Sequence, residues 1–143
     1  MWKAQMKRIT VIEDDEFVRA NLLELLIMEG YDVRGASDGA MGVSLVADFL
    51  PHLVICDVAM PEMTGHDVLI ALREGESTRS IPFIFLTAAA EREDFRIGLS
   101  LGADDYLTKP FLQRDLLVAI EEKLSSHAEV KHVDVVEGLQ GHA

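Results

Sequence analysis

Arg8-Ile-Thr-Val-Ile-Glu-Asp-Asp-Glu16 is an apolar, β-branched run that stops abruptly in four consecutive acids. A strand covered on both faces carries apolar side chains at successive positions instead of alternating them, so residues 8–12 read as a buried strand and Glu13 to Glu16 as the acidic loop it delivers. From Asp15 onward Val18, Leu22, Leu25 and Leu26 recur at helical spacing, and Gly30 follows as a helix terminator. This is one β-α unit, and the rest of the chain repeats it.

Tyr31 to Ala36 suggests a second strand, and Ser37 is placed to cap a helix carrying Val43, Val46, Ala47 and Leu50, which stops before Pro51. Leu53-Val-Ile-Cys56 is a third strand, apolar throughout, with Asp57 at its C-terminal end. Gly65 to Arg73 supplies a helix, Ile81 to Leu86 the fourth strand, with Thr87 at its end, and residues from about 91 to 101 another helix. Asp105-Tyr-Leu107 is a brief fifth strand and Thr108-Lys109-Pro110 a loop. Leu112, Leu116, Leu117, Ile120 and Leu124 mark the last helix. Strict β-α alternation requires crossover connections, hence parallel strands with helices on both faces. The expected fold is therefore a flavodoxin-like, doubly wound (βα)5 parallel sheet of order 2-1-3-4-5 in a single domain. Its ligand crevice lies at the switch point between strands one and three. Asp14 and Asp57 follow those two strands. The chain divides into an extension (1–7), a domain (8–125) and a tail or linker (126–143) that lacks periodicity.

The chain has 143 residues, of which 49% are hydrophobic: room for one full domain and a real core, with no apolar run long enough to span a bilayer. The N-terminus has no secretory pattern and Cys56 is the single cysteine, so a soluble protein of the reducing cytoplasm is expected, with no internal disulfide. Thirteen basic residues against twenty-five acidic ones give a net charge of −12, which repels phosphate backbones and argues against direct nucleic-acid binding.

Glu13, Asp14 and Asp57 meeting in one crevice repel one another unless a cation lies among them. Oxygen donors without a Cys/His cluster favour Mg²⁺ over Zn²⁺. The acidic first loop is the opposite of the glycine-rich loop that cradles nucleotide phosphates, so a dinucleotide or flavin site is not expected. Phosphoryl transfer fits better, with Thr87 able to donate to a phosphoryl oxygen and Lys109 to supply positive charge.

These residues closely resemble the response-regulator receiver family over residues 8–125. The resemblance rests on Ile12-Glu-Asp-Asp-Glu16, on Asp57-Val-Ala-Met-Pro61 with Gly65 four residues on, on Phe85-Leu-Thr-Ala88, and on Gly102-Ala-Asp-Asp-Tyr-Leu-Thr-Lys-Pro-Phe111. It implies that Asp57 is the phosphoacceptor and that Glu13, Asp14, Asp57 and the Ala59 carbonyl hold Mg²⁺. Thr87, the Ala88 amide and Lys109 would contact the phosphoryl group, and Tyr106 would be the switch aromatic. In this resemblance Arg19, five positions after Asp14, marks Asp14 as the main metal aspartate and leaves Asp15 as helix cap, with an exchange of those two roles as the alternative. Small residues at Ala59 and Ala89 imply an aspartyl phosphate lasting minutes. The implied partners are a histidine kinase or a histidine phosphotransfer protein, and a second protomer could pair through the fourth helix, fifth strand and last helix. The function expected is that of a phosphorylation switch and not a turnover enzyme. Two rival readings are a Mg²⁺-dependent aspartyl-phosphate phosphatase, which needs an Asp-x-Asp motif and a cap that this sequence lacks, and a non-phosphorylated pseudo-receiver used for docking.

Overall fold

The computed structural model describes residues 6–88 and 102–125. Five strands, β1 (Arg8–Ile12), β2 (Asp32–Ala36), β3 (Leu53–Asp57), β4 (Phe83–Ala88) and β5 (Asp105–Lys109), form one parallel sheet in the order β2-β1-β3-β4-β5. The helices α1 (Glu16–Met28), α2 (Gly39–Phe49) and α3 (Gly65–Glu74) connect the first strands, and a further helix covers residues 113–125. The helix expected at 91–101, the tail from 126 and most of the extension lie outside the described residues.

Side-chain alternation along the buried strands divides the core in two. Ile9, Val11, Leu53, Ile55, Ile84 and Leu86 pack under α1 and the helix 113–125. Ile12, Val54, Cys56, Phe83, Phe85 and Tyr106 pack on the other side, against Val46 of α2 and Val68, Leu69 and Leu72 of α3. This two-sided burial is why the strands show no polar alternation in sequence.

Local capping explains the helix starts. Asp15 accepts the Val18 N–H at 3.0 Å and opens α1. At α2 the cap is Asp38, which accepts the Met41 N–H at 2.8 Å, and not Ser37 as the sequence suggests. Ala36 is still the last residue of β2, its carbonyl accepting the Glu13 N–H, so the first turn of α2 begins one residue later than expected. Ala47 and Leu50 are exposed, contrary to their expected place on the buried face. β4 begins two residues later than expected, at Phe83, and both β4 and β5 extend further. Thr87 pairs with Thr108 and Ala88 with Lys109, so Lys109 ends a strand instead of lying in a loop. The Lys109–Pro110 peptide is cis.

Candidate functional site

The alternation that builds the core also builds the site. Asp57 and Lys109 share strand parity with Ile55 and Leu107, on the α1 side of the sheet, and Glu13 follows Val11 on that same side. Thr87 and Tyr106 take the opposite parity, with Phe85 and on the α3 side. The acidic crevice and the expected switch residues therefore face opposite layers and meet only at the ends of β4 and β5.

In the crevice, Lys109 Nζ donates to Glu13 Oε1 at 2.9 Å and stands 3.4 Å from Asp57 Oδ1. Glu13 is almost wholly buried, and its second oxygen accepts the Asp15 N–H at 3.1 Å, so the acidic loop folds around its own carboxylate. Arg19 adds to this by donating from Nη1 to the Glu13 carbonyl at 2.8 Å, which gives the basic residue noted in the sequence a structural task. Asp14 is exposed at the mouth and Asp57 buried at the floor, yet Glu13, Asp14 and Asp57 each bring a carboxylate oxygen within 4.8 Å of the others.

Three carboxylates against one ammonium leave the crevice at −2 when all are ionised. Burial, followed by the charge of Glu13, pushes the Asp57 carboxyl up to about 6, with Lys109 opposing the rise. Burial works to lower the Lys109 ammonium, but the Glu13 hydrogen bond and the Asp57 charge outweigh it and the net direction is upward. An all-oxygen donor set with an uncompensated double negative charge suits a hard divalent cation. Glu13, Asp14 and Asp57 would be the side chains to hold it, and Mg²⁺ takes oxygen ligands of this kind. Receiver domains generally bind Mg²⁺ at such an acidic pocket.

The remaining expected residues surround this floor. Ala59 is exposed on the loop between β3 and α3, and Ala88 is exposed at the end of β4. Thr87 is buried, its hydroxyl donating to the Ala88 carbonyl at 3.3 Å. Cys56 lies in the core on the far side from Asp57, its thiol pushed well up by burial and the neighbouring carboxylates, as befits an inert packing residue. Ala89 lies outside the described residues. Tyr106 is buried, its ring packed on Phe85 at a centroid distance of 5.1 Å. His66 is a neighbour the sequence did not single out: its Nε2 and the Tyr106 hydroxyl are 3.3 Å apart. No spacing rule marks a lone histidine in the first turn of a helix.

A doubly wound five-stranded α/β domain whose switch-point loop is acidic, with a lysine reaching in from the last strand, defines a class whose crevice gathers carboxylates around one ammonium. The family model described as "Response regulator receiver domain" matches residues 9–121, and the chain belongs to that family. The transcriptional regulatory protein CpxR of Escherichia coli (strain K12) is 44% identical over 115 residues, which are 80% of this chain and 48% of CpxR. The DNA-binding dual master transcriptional regulator RpaA of Synechocystis is 39% identical over 119 residues, 83% of this chain and 49% of RpaA. The chain thus spans about half the length of these relatives. Among solved structures, a CheY-like response regulator receiver domain protein from Methanospirillum hungatei superposes with a TM-score of 0.82 at 30% identity, covering 87% of this chain and 98% of that one. The receiver domain of a histidine kinase from Syntrophus aciditrophicus gives 0.77 at 32% identity, covering 84% and 91%. Receiver domains act in two-component systems as signalling switches, not as enzymes in the ordinary sense, and work with histidine kinases or phosphotransfer proteins. Among the described residues no helix is long and apolar enough to cross a membrane.

Proposed function

We propose that this chain accepts a phosphoryl group on Asp57 from a phosphohistidine of a histidine kinase or histidine phosphotransfer protein. The observation that carries the reading is the floor of the crevice, where the buried Asp57 carboxylate lies at the end of β3, 3.4 Å from Lys109 and grouped with Glu13 and Asp14. An Asp57 oxygen forms the new P–O bond as the P–N bond breaks, and the electron pair of that bond returns to the imidazole, which takes up one proton. Lys109 balances the charge carried by the transferred oxygens. The Thr87 hydroxyl, whose bond to the Ala88 carbonyl is long, can turn to donate to one of them, and the Ala88 amide can donate as well. Glu13, Asp14, Asp57 and the Ala59 carbonyl would hold Mg²⁺, which when bound neutralises charge developing on the phosphoryl oxygens. Each oxygen of Glu13 already accepts one hydrogen bond and keeps a lone pair for the cation or for a water on it.

A groove of about 600 Å³ runs beside Lys109 between α1 and the turn after β5, lined mainly by Val18, Leu22, Leu25, Pro110 and Phe111. A donor protein seated there brings its phosphohistidine over the crevice. The charge of −12 makes this domain a poor nucleic-acid ligand in itself, so we assign it no DNA contact, although the relatives above are named as transcriptional regulators. Output is assigned to the face that includes β5 and the helix 113–125, through Thr87 and Tyr106, and the same face is the candidate for pairing with a second protomer. The reaction is a stoichiometric modification with self-catalysed loss. The small, exposed Ala59 neither shields the acyl phosphate nor positions a water, consistent with a lifetime of minutes.

Intact-mass spectrometry after incubation with acetyl phosphate tests the assignment. One phosphoryl group is expected on the wild type with Mg²⁺ and none without it. Equal labelling of Asp57→Asn would place the acceptor elsewhere, and no labelling of either protein would favour a docking module. A wild-type half-life of seconds would overturn the reading of Ala59.

A further inference from the structure

His66 stands in the first turn of α3, one residue after Gly65, whose N–H donates to the Val58 carbonyl at 2.9 Å. The ring is thus tied to the loop that leaves Asp57. It meets Phe85 of β4 edge-on, at a centroid distance of 5.2 Å and an angle of 75°, and Phe85 in turn touches the Tyr106 ring. The third side is closed by the hydrogen bond between His66 Nε2 and the Tyr106 hydroxyl, whose proton can sit on either atom according to the imidazole tautomer. Phe85 pairs with Tyr106 across the β4–β5 ladder and lies two residues before Thr87, so the three rings bridge α3, β4 and β5 at the level of the expected switch.

None of these contacts involves the Asp57 carboxylate. The inward position of Tyr106 is held from the α3 side by a partner that has nothing to do with phosphoryl chemistry. A phenol turned inward needs a partner for its hydroxyl as well as space for its ring, and an aliphatic side chain at position 66 would supply neither the hydrogen bond nor the edge contact to Phe85.

We propose that His66 is a positioning residue for Tyr106: it satisfies the buried hydroxyl and stabilises the inward ring, so that this arrangement is populated in the free protein and phosphorylation of Asp57 strengthens a bias already present. The inference rests on the reading of Asp57 as phosphoacceptor and Tyr106 as switch, and sets the resting point of that switch. Because binding and conformation are linked, a residue that favours the inward ring also tightens the binding of any phosphoryl analogue that prefers it.

The chain has two tyrosines, Tyr31 and Tyr106, so fluorotyrosine labelling gives two ¹⁹F signals, one of which reports the switch directly. In the free wild type the Tyr106 signal should lie near its position with magnesium beryllofluoride bound. In His66→Leu it should move away, and beryllofluoride affinity should fall about 2- to 10-fold, the range for loss of one neutral hydrogen bond. His66→Gln, which keeps a hydrogen-bonding group, should recover part of both changes. Tyr106→Phe breaks the same bond from the other end, so its affinity loss should not add to that of His66→Leu in the double variant. An unchanged Tyr106 signal together with unchanged affinity in His66→Leu, or additive losses in the double variant, would overturn the proposal. If magnesium beryllofluoride fails to bind the wild type, the phosphoacceptor reading falls, while the ¹⁹F comparison of the free proteins still decides the role of His66.

Discussion

Lys109 is bonded to a glutamate that is 1% exposed and is itself 26% exposed, so it is half inside the crevice and half in solvent. Removing it raises the uncompensated charge from −2 to −3 and frees oxygens that a divalent cation could use. Lys109→Ala should therefore bind Mg²⁺ several-fold more tightly by calorimetry, while losing about 1–3 kcal/mol of stability without the metal, the range for stranding a partly buried charge. Weaker Mg²⁺ binding would show that lysine and cation do not compete for the same oxygens. A different residue makes an opposite prediction for stability. The Thr10 hydroxyl, in the middle of β1, is the one fully buried side-chain polar atom among the described residues without a hydrogen-bond partner. Thr10→Val keeps the shape and removes the unsatisfied group, and should stabilise the domain by about 1 kcal/mol in urea denaturation. The sequence made Lys109 legible because it precedes Pro110 after a strand. It could not reveal the solitude of Thr10, since a threonine in a β-branched strand looks like any other.

At the scale of elements, α3 is docked by an absence. A Cβ on Gly65 would press into the Asp57 carbonyl and come within 2.9 Å of both the Phe85 ring and the Val58 Cα, and two of these three are backbone. Gly65→Ala should thus cost about 1–3 kcal/mol, as overpacking does, and should slow labelling of Asp57 by shifting the loop that follows it. Normal labelling and stability would mean that α3 can slide without consequence. Strand existence and order were readable because burial on both faces makes β1, β3 and β4 predominantly apolar and because Asp57 interrupts β3 so sharply. Boundaries were less so. The choice of Asp38 over Ser37 as cap depends on where the β1–β2 pairing ends, and the extension of β5 to Lys109 depends on Thr108 finding Thr87 opposite it; both are decided by a neighbouring strand. The His66–Tyr106 contact joins residues 40 apart through packing alone, and no local pattern encodes it.

For the molecule as a whole, a cation that binds the folded crevice and not the unfolded chain stabilises by mass action, about 2.7 kcal/mol at a hundred times its Kd. Mg²⁺ should raise the midpoint of thermal unfolding well beyond Na⁺ at matched ionic strength, and Asp14→Asn should lose most of that increment. An equal shift in both proteins would remove Asp14 from the ligand set and assign the effect to general screening of the −12 charge.

The bond between Lys109 and Glu13 spans 96 positions of the chain, and the contact with Asp57 spans 52. The parts of the crevice are thus made at very different times during synthesis, acids first and lysine last. A nascent chain ending before residue 109 carries three mutually repelling carboxylates without the ammonium that, among the described residues, bonds to Glu13 and Asp57. Competence to receive a signal is in this sense withheld until the domain is nearly complete. A ribosome-bound fragment or a proteolytic product lacking the last strand should stay silent in the presence of an active phosphodonor, so the geometry that makes the domain a receiver also keeps its unfinished copies out of the conversation.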